Sequence, residues 1–147
     1  DAVVTSPPYS IALNYVENDK HALEALGLSL ESVKDDYIGV RGEGNAKVLA
    51  YEEDMRQAVK EMSRVLKPGG RCAIIIGNPT RLAQEIEADK LLDRYCQEEG
   101  LQLWEDPDLD MPHRIPKTVY GLYNVINEEQ ILLFAKPGSA AKLLPQL

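Results

Sequence analysis

The sequence has no surplus of basic charge. Its 16 Lys and Arg stand against 24 Asp and Glu, a formal net charge of −8. A free-standing nucleic-acid binder normally carries a basic face, because neutralised phosphates supply most of its non-specific affinity. That role is disfavoured for the chain alone. An enzyme that visits nucleic acid through a local patch or a partner is not disfavoured. Cysteine is also scarce: Cys72 and Cys96 are the only two. Their separation matches no metal site, and each lies in apolar or helix-like surroundings that suit a buried, reduced thiol. Glu105, Asp106, Asp108 and Asp110 lack the full spacing and the closing Glu of a calcium loop, and His21 and His113 are isolated, so no metal is expected. No segment approaches the ~20 apolar residues of a membrane span. The chain opens on Asp1 with no initiating Met and no signal peptide, which reads as a fragment. A cytoplasmic location is expected.

What is present suits a globular α/β protein. Apolar residues make up 44% and charged residues 27%, ordinary values for a packed domain. At this length, roughly 68–70% of the unfolded chain's surface can be buried. Ala2-Val3-Val4 is a short β-rich run, stopped by Thr5-Ser6-Pro7-Pro8-Tyr9, since a proline pair can continue neither a strand ladder nor a helix interior. Short helices are expected over His21–Leu26 and Leu30–Tyr37, the second capped by Ser29. A flexible loop is expected at Arg41–Asn45. Met55, Ala58, Val59, Met62, Val65 and Leu66 recur at helical spacing, and Lys67-Pro68-Gly69-Gly70 ends that helix. Cys72–Ile76 reads as a strand buried on both faces, hence parallel, broken by Gly77-Asn78-Pro79. A helix over Thr80–Glu99 and a strand at Leu101–Trp104 follow. A polar loop then covers Glu105–Lys117. Thr118–Ile126 and Gln130–Ala135 read as a hairpin joined by Asn127-Glu128-Glu129. This rhythm is that of a doubly wound sheet with an antiparallel edge, in which ligands bind outside the carboxyl ends of strands.

Asp1-Ala2-Val3-Val4-Thr5-Ser6-Pro7-Pro8-Tyr9 stands at such an end. It resembles the strand and catalytic loop of S-adenosylmethionine-dependent DNA amino-methyltransferases, which methylate the exocyclic amine of cytosine (N4) or adenine (N6). Their pattern is Asp, Asn or Ser, then Pro-Pro, then an aromatic residue, and the Ser form is typical of cytosine-N4 enzymes. The similarity is strong over residues 1–9 and loose to residue 136. The expected fold is therefore a Rossmann-like methyltransferase sheet, its C-terminal half. Residues 1–136 would be a partial domain and 137–147 a peripheral tail.

The resemblance implies that Ser6, Pro7, Pro8 and Tyr9 are catalytic and that Thr5, Ser6 and Pro7 line the donor. Tyr9, Asn14, Tyr15 and Arg114 would face the substrate. The chemistry suits these residue types. The lone pair of an exocyclic amine is conjugated into the base. Two acceptors near its hydrogens, the Ser6 hydroxyl oxygen and the Pro7 carbonyl, would favour a tetrahedral nitrogen able to attack a methyl group. The prolines fix the loop before the substrate arrives. Tyr9 would stack on a base swung out of the duplex. Trp104 reads as packing.

The donor-binding signature of the family, a glycine-rich loop after a first strand, is missing. Gly42-Glu43-Gly44 imitates it without a buried strand before it. The donor half is expected outside the chain, upstream in preference to a permuted downstream order, and donor binding by these residues alone should be weak. DNA is the expected partner, with RNA as the nearest variant. The competing class is a non-catalytic half-domain, kept as an interaction or dimerisation module.

Overall fold

A computed structural model of the chain describes residues 1–9, 11, 14–79, 87–105, 114–118 and 126–138. Strand β1 (Ala2–Thr5) stops where the Pro7-Pro8 pair withholds two backbone N–H donors. Three short helices follow: α1 (Tyr15–Asn18), α2 (Lys20–Ala25) and α3 (Leu30–Val33), the last running into a 3-10 turn at Lys34–Asp36. The expected Leu30–Tyr37 helix is therefore split. Ser29 does cap α3, its hydroxyl oxygen accepting from the Ser32 N–H at 3.1 Å. Val16, Leu23 and Val40 gather with Leu30, Val33 and Tyr37 in a small cluster beside the main core.

Helix α4 (Gly44–Val65) starts inside the expected Arg41–Asn45 loop. Tyr51, Met55 and Val59, each four residues apart, are fully buried, and Leu66 continues the stripe. Val65, expected on this face, is 55% exposed. It is the last residue of α4, at the edge of the stripe. Ser63 is buried in its stead and donates its hydroxyl to the Glu99 carbonyl at 3.0 Å.

Gly70 joins α4 to β2 (Arg71–Pro79) as the sequence suggests, and glycine is required there. A Cβ would lie 2.8 Å from the Lys67 carbonyl oxygen and 2.9 Å from that of Asp1. Two expectations for β2 are corrected. Gly77-Asn78-Pro79 does not break the strand, because backbone pairing resumes at Pro79 beyond a register shift, so a bulge absorbs the irregular residues. Nor is β2 buried equally on both faces. Cys72, Ile74 and Ile76 are at most 1% exposed, whereas Ala73 and Ile75 are only half-buried. The buried face packs against α4 and α5 (Ala88–Glu98), where Ala88, Leu91, Leu92, Tyr95 and Cys96 complete the core with Leu132 and Phe134. Residues 80–86 of the expected Thr80–Glu99 helix lie outside the described residues.

The remaining strands are β3 (Gln102–Leu103), β4 (Arg114–Thr118) and β5 (Ile126–Ala135). Here the expected hairpin is corrected. Asn127-Glu128-Glu129 is strand, not turn, and Arg114–Lys117 is strand rather than loop. Pro116 made the segment look like a loop, but proline is tolerated on an edge strand, which is where β4 runs. An antiparallel pair does close the sheet, formed by β4 and β5.

The sheet order is β1-β2-β5-β3, with β4 following β3 along the same side of β5. β1 and β2 are parallel, Ala2 opposite Arg71 through Thr5 opposite Ile74. β5 is antiparallel to its neighbours. At the rim holding Asp1, Gly70 and Lys136, main-chain bonds join the strands. Arg71 N–H donates to the Asp1 carbonyl (3.1 Å), Lys136 N–H to Gly70 (2.8 Å) and Gly69 N–H to Lys136 (2.9 Å).

Candidate active site

Because β1 and β2 are parallel, their carboxyl ends share one rim, and Ser6–Tyr9 leaves β1 there. The corner is held by side chains from several elements. Tyr51, buried in α4, donates its hydroxyl to the Pro8 carbonyl at 2.9 Å. The Tyr15 hydroxyl oxygen accepts from the Tyr9 N–H at 3.3 Å. Lys47 Nζ donates to the Ile11 carbonyl at 3.4 Å. On the far side, Tyr9 Oη donates to Glu129 Oε1 at 2.5 Å, and Ser6 Oγ donates to Tyr9 Oη at 3.1 Å. The corner therefore spans from β1 across to β5.

Burial pushes the Tyr9 phenol up to about 12; its hydrogen bond to Glu129 acts in the same direction and the Ser6 contact opposes them. The phenol remains a donor at neutral pH. Burial also raises the Tyr51 phenol, which likewise keeps its proton for Pro8. Ser6 is exposed and Pro7 half-buried. Among the described residues no group donates to the Pro7 carbonyl. The two atoms expected to receive an amine, Ser6 Oγ and the Pro7 oxygen, thus lie on a braced loop at the carboxyl rim of the parallel pair.

The other expected site residues are placed less directly. Thr5 ends β1, half-buried. Asn14 caps α1, its side-chain oxygen accepting from the Glu17 N–H at 3.4 Å. Tyr15 holds the corner through its bond from the Tyr9 N–H. Tyr9 is half-buried against the core, with its hydroxyl engaged. Arg114 lies in β4 opposite Leu132, with β5 and β2 between its backbone and β1. His113 lies outside the described residues. Trp104 packs under the Arg71 guanidinium, 4.1 Å from its ring centre, which supports a structural role.

Two residues escaped the sequence reading. Tyr51 carried a signal, since it extends the Met55–Val59 stripe back by one turn. Glu129 carried none, because it looked like part of a turn. Neither thiol belongs to the site: Cys72 and Cys96 are free and buried, and desolvation raises both. Among the described residues, no three His, Cys, Asp or Glu side chains converge to hold a metal, and no helix is long and apolar enough to cross a membrane.

The architecture is a Rossmann-like methyltransferase fold. The family model for the methyltransferase domain matches residues 45–74, which cover most of α4 and the start of β2. A protein of Thermus thermophilus, provisionally named a DNA modification methylase and solved in complex with S-adenosyl-L-methionine, superposes with a TM-score of 0.52 at 19% identity. The match covers 97% of this chain and 47% of that one, so the chain spans about half its length. A selenomethionine form of the same protein gives a TM-score of 0.48 at 18% identity. No curated protein matches the sequence significantly.

Proposed function

We propose that the chain is the amine-activating half of an S-adenosylmethionine-dependent DNA amino-methyltransferase, acting on cytosine N4 or adenine N6. The observation that carries this reading is the Ser6-Pro7-Pro8-Tyr9 corner, braced at the carboxyl rim of the parallel pair within a methyltransferase-type sheet. The similarity to an S-adenosyl-L-methionine complex supports the donor. Thr5, Ser6 and Pro7 would form one wall of the donor pocket. Gly42-Glu43-Gly44 opens α4 rather than following a strand of the sheet, so it is not the donor loop.

The edge of β1 away from β2 is unpaired among the described residues, and Val4 is 74% exposed. An apolar edge strand of this kind is a template for another strand. We assign it to the segment that carries the donor loop. A second copy of the chain is the alternative occupant.

A bound sulfonium donor would supply an electrophilic methyl: as the N–C bond formed, the S–CH3 bond would break to leave a neutral thioether, and the methylated amine would release one proton to solvent. The protein's part is to present the amine. Ser6 Oγ and the Pro7 carbonyl would accept its two hydrogens, drawing the nitrogen towards a tetrahedral shape and freeing its lone pair for attack. Because the corner is already held by Tyr51, Tyr15 and Glu129, little reorganisation is needed when substrate arrives. Tyr9 presents its ring to the displaced base while its hydroxyl stays tethered. The negative chain draws its DNA contacts from local groups, Arg114 among them, and from the missing half. A cytoplasmic setting, where thiols stay reduced, suits Cys72 and Cys96.

The test is methyl transfer by the intact protein to duplex DNA, compared with the Ser6→Ala variant. We expect Ser6→Ala to lose most of kcat while remaining folded. Transfer that persists unchanged without the Ser6 hydroxyl refutes the role. Transfer to RNA but not DNA reassigns the substrate.

A further inference from the structure

Beyond the corner itself lies a chain of three side chains whose hydrogen-bond direction is fixed by its last member. A carboxylate can only accept hydrogen bonds. The Tyr9 hydroxyl, 2.5 Å from Glu129 Oε1, must therefore donate its hydrogen bond to Glu129. That leaves the Tyr9 oxygen as an acceptor towards Ser6 Oγ at 3.1 Å, so the single Ser6 hydroxyl hydrogen is committed to Tyr9. Both lone pairs of Ser6 Oγ are then left for an incoming donor. A serine hydroxyl alone rotates and can donate or accept. Within this chain it is an acceptor.

We propose that Glu129 is a positioning residue: acting through the Tyr9 hydroxyl, it sets the Ser6 oxygen to receive a hydrogen from the target amine. The inference rests on the reading of Ser6 given above. The fold delivers the carboxylate to this place. Glu129 sits in β5 directly opposite Gly77 of β2, at the rim where β1 ends, while Ser6 and Tyr9 belong to the loop leaving β1. A strand remote in sequence thus determines which way a hydroxyl on the loop points. The same contact anchors the Tyr9 ring at its far end, so orientation of the acceptor and placement of the aromatic face are set together.

Simple removal of Glu129 would confuse two roles. If Glu129 only stabilises the fold, its loss changes stability and leaves the kinetics of folded protein intact. If it works through Tyr9, the Tyr9 and Glu129 variants must report on one interaction. The experiment is a double-variant cycle in the intact protein, using Glu129→Leu, Glu129→Gln, Tyr9→Phe and the Tyr9→Phe/Glu129→Leu pair. Each is assayed for kcat and KM in methyl transfer. We expect Glu129→Leu to lower kcat by about 10-fold with KM little changed, because a charge-assisted bond is lost. Tyr9→Phe should lose a similar factor, and the pair should be no worse than Tyr9→Phe alone. Glu129→Gln keeps an acceptor oxygen and should recover part of the loss.

Multiplying losses in the pair would place Glu129 in a different role and overturn the proposal. So would full kcat in Glu129→Leu alongside an inactive Ser6→Ala, an outcome that leaves the methyl-transfer reading standing. If the unaltered protein transfers no methyl, that reading fails, and the chain of hydrogen bonds is judged by phenolate absorbance. Tyr9 ionisation, isolated as the difference from Tyr9→Phe, should move to lower pH in Glu129→Gln. An unmoved titration overturns the proposal.

Discussion

Tyr51→Phe isolates one contact of the corner. Tyr51 is fully buried in the core, and the substitution keeps the ring, so burial of apolar surface is unchanged. What disappears is the hydroxyl that donates to the Pro8 carbonyl at 2.9 Å. Such a bond contributes about 1 kcal/mol net, because the unfolded state makes equivalent bonds to water. Pro8 is half-buried, so water can reach part of the orphaned carbonyl, and the loss should stay near that value rather than the ~3 kcal/mol of a sealed, unpaired group. A loss of about 1 kcal/mol shifts a local equilibrium about 5-fold. The corner retains Tyr15 and Glu129 as anchors, so we expect kcat to fall by roughly 3- to 5-fold. Urea unfolding should show a lower midpoint with the slope unchanged. Hydrogen exchange at the Tyr9 amide should accelerate while the strand amides of Cys72–Ile76 hold. If stability falls but exchange at Tyr9 and turnover stay as before, the hydroxyl does not brace the corner, and the account of a preformed site loses its main support.

Three further outcomes follow from the packing. Tyr9 and Cys72 are both raised in the folded state, Tyr9 from 10.0 to about 12 and Cys72 from 9.0 to about 11. The unfolded chain therefore ionises first, and stability falls as pH rises from about 9 to 12; urea midpoints across that range check the sign, and Tyr9→Phe should lessen the decline above pH ~10, to which the raised Tyr51 and Cys96 also contribute. Gly70→Ala places a Cβ 2.8 Å from the Lys67 carbonyl and 2.9 Å from the Asp1 carbonyl, a backbone clash that should cost ~1–3 kcal/mol in chemical denaturation. Cys72 and Cys96 are at most 1% exposed, so a thiol reagent should label neither in the native protein and both once it is unfolded.

The sequence disclosed the elements whose local chemistry leaves little choice. Two adjacent prolines had to end β1, and Met55, Val59 and Leu66 could share a face only on a helix. The corner was legible for the same reason, since its residues are contiguous. What sequence reading missed depends on contacts between distant segments. Val65 was assigned to the apolar face by spacing, yet it ends α4 and is 55% exposed. Asn127-Glu128-Glu129 has the composition of a turn and Arg114-Ile115-Pro116-Lys117 that of a loop, but pairing between the two strands outweighs both local preferences. Glu129 could not be recognised as part of the site, because its partner is 120 residues away.

The two ends of this sheet are fastened by different means. Around Gly70, main-chain amides and carbonyls tie β1, β2 and β5 together through bonds that use no side chain. At the opposite end the β2–β5 ladder continues to Pro79, but the loop leaving β1 is fastened there by tyrosine hydroxyls and one carboxylate. Substitution can therefore loosen or re-aim the working end while the stitched end keeps the strands in register, so selection can tune the chemistry of such a scaffold without first having to rescue its folding.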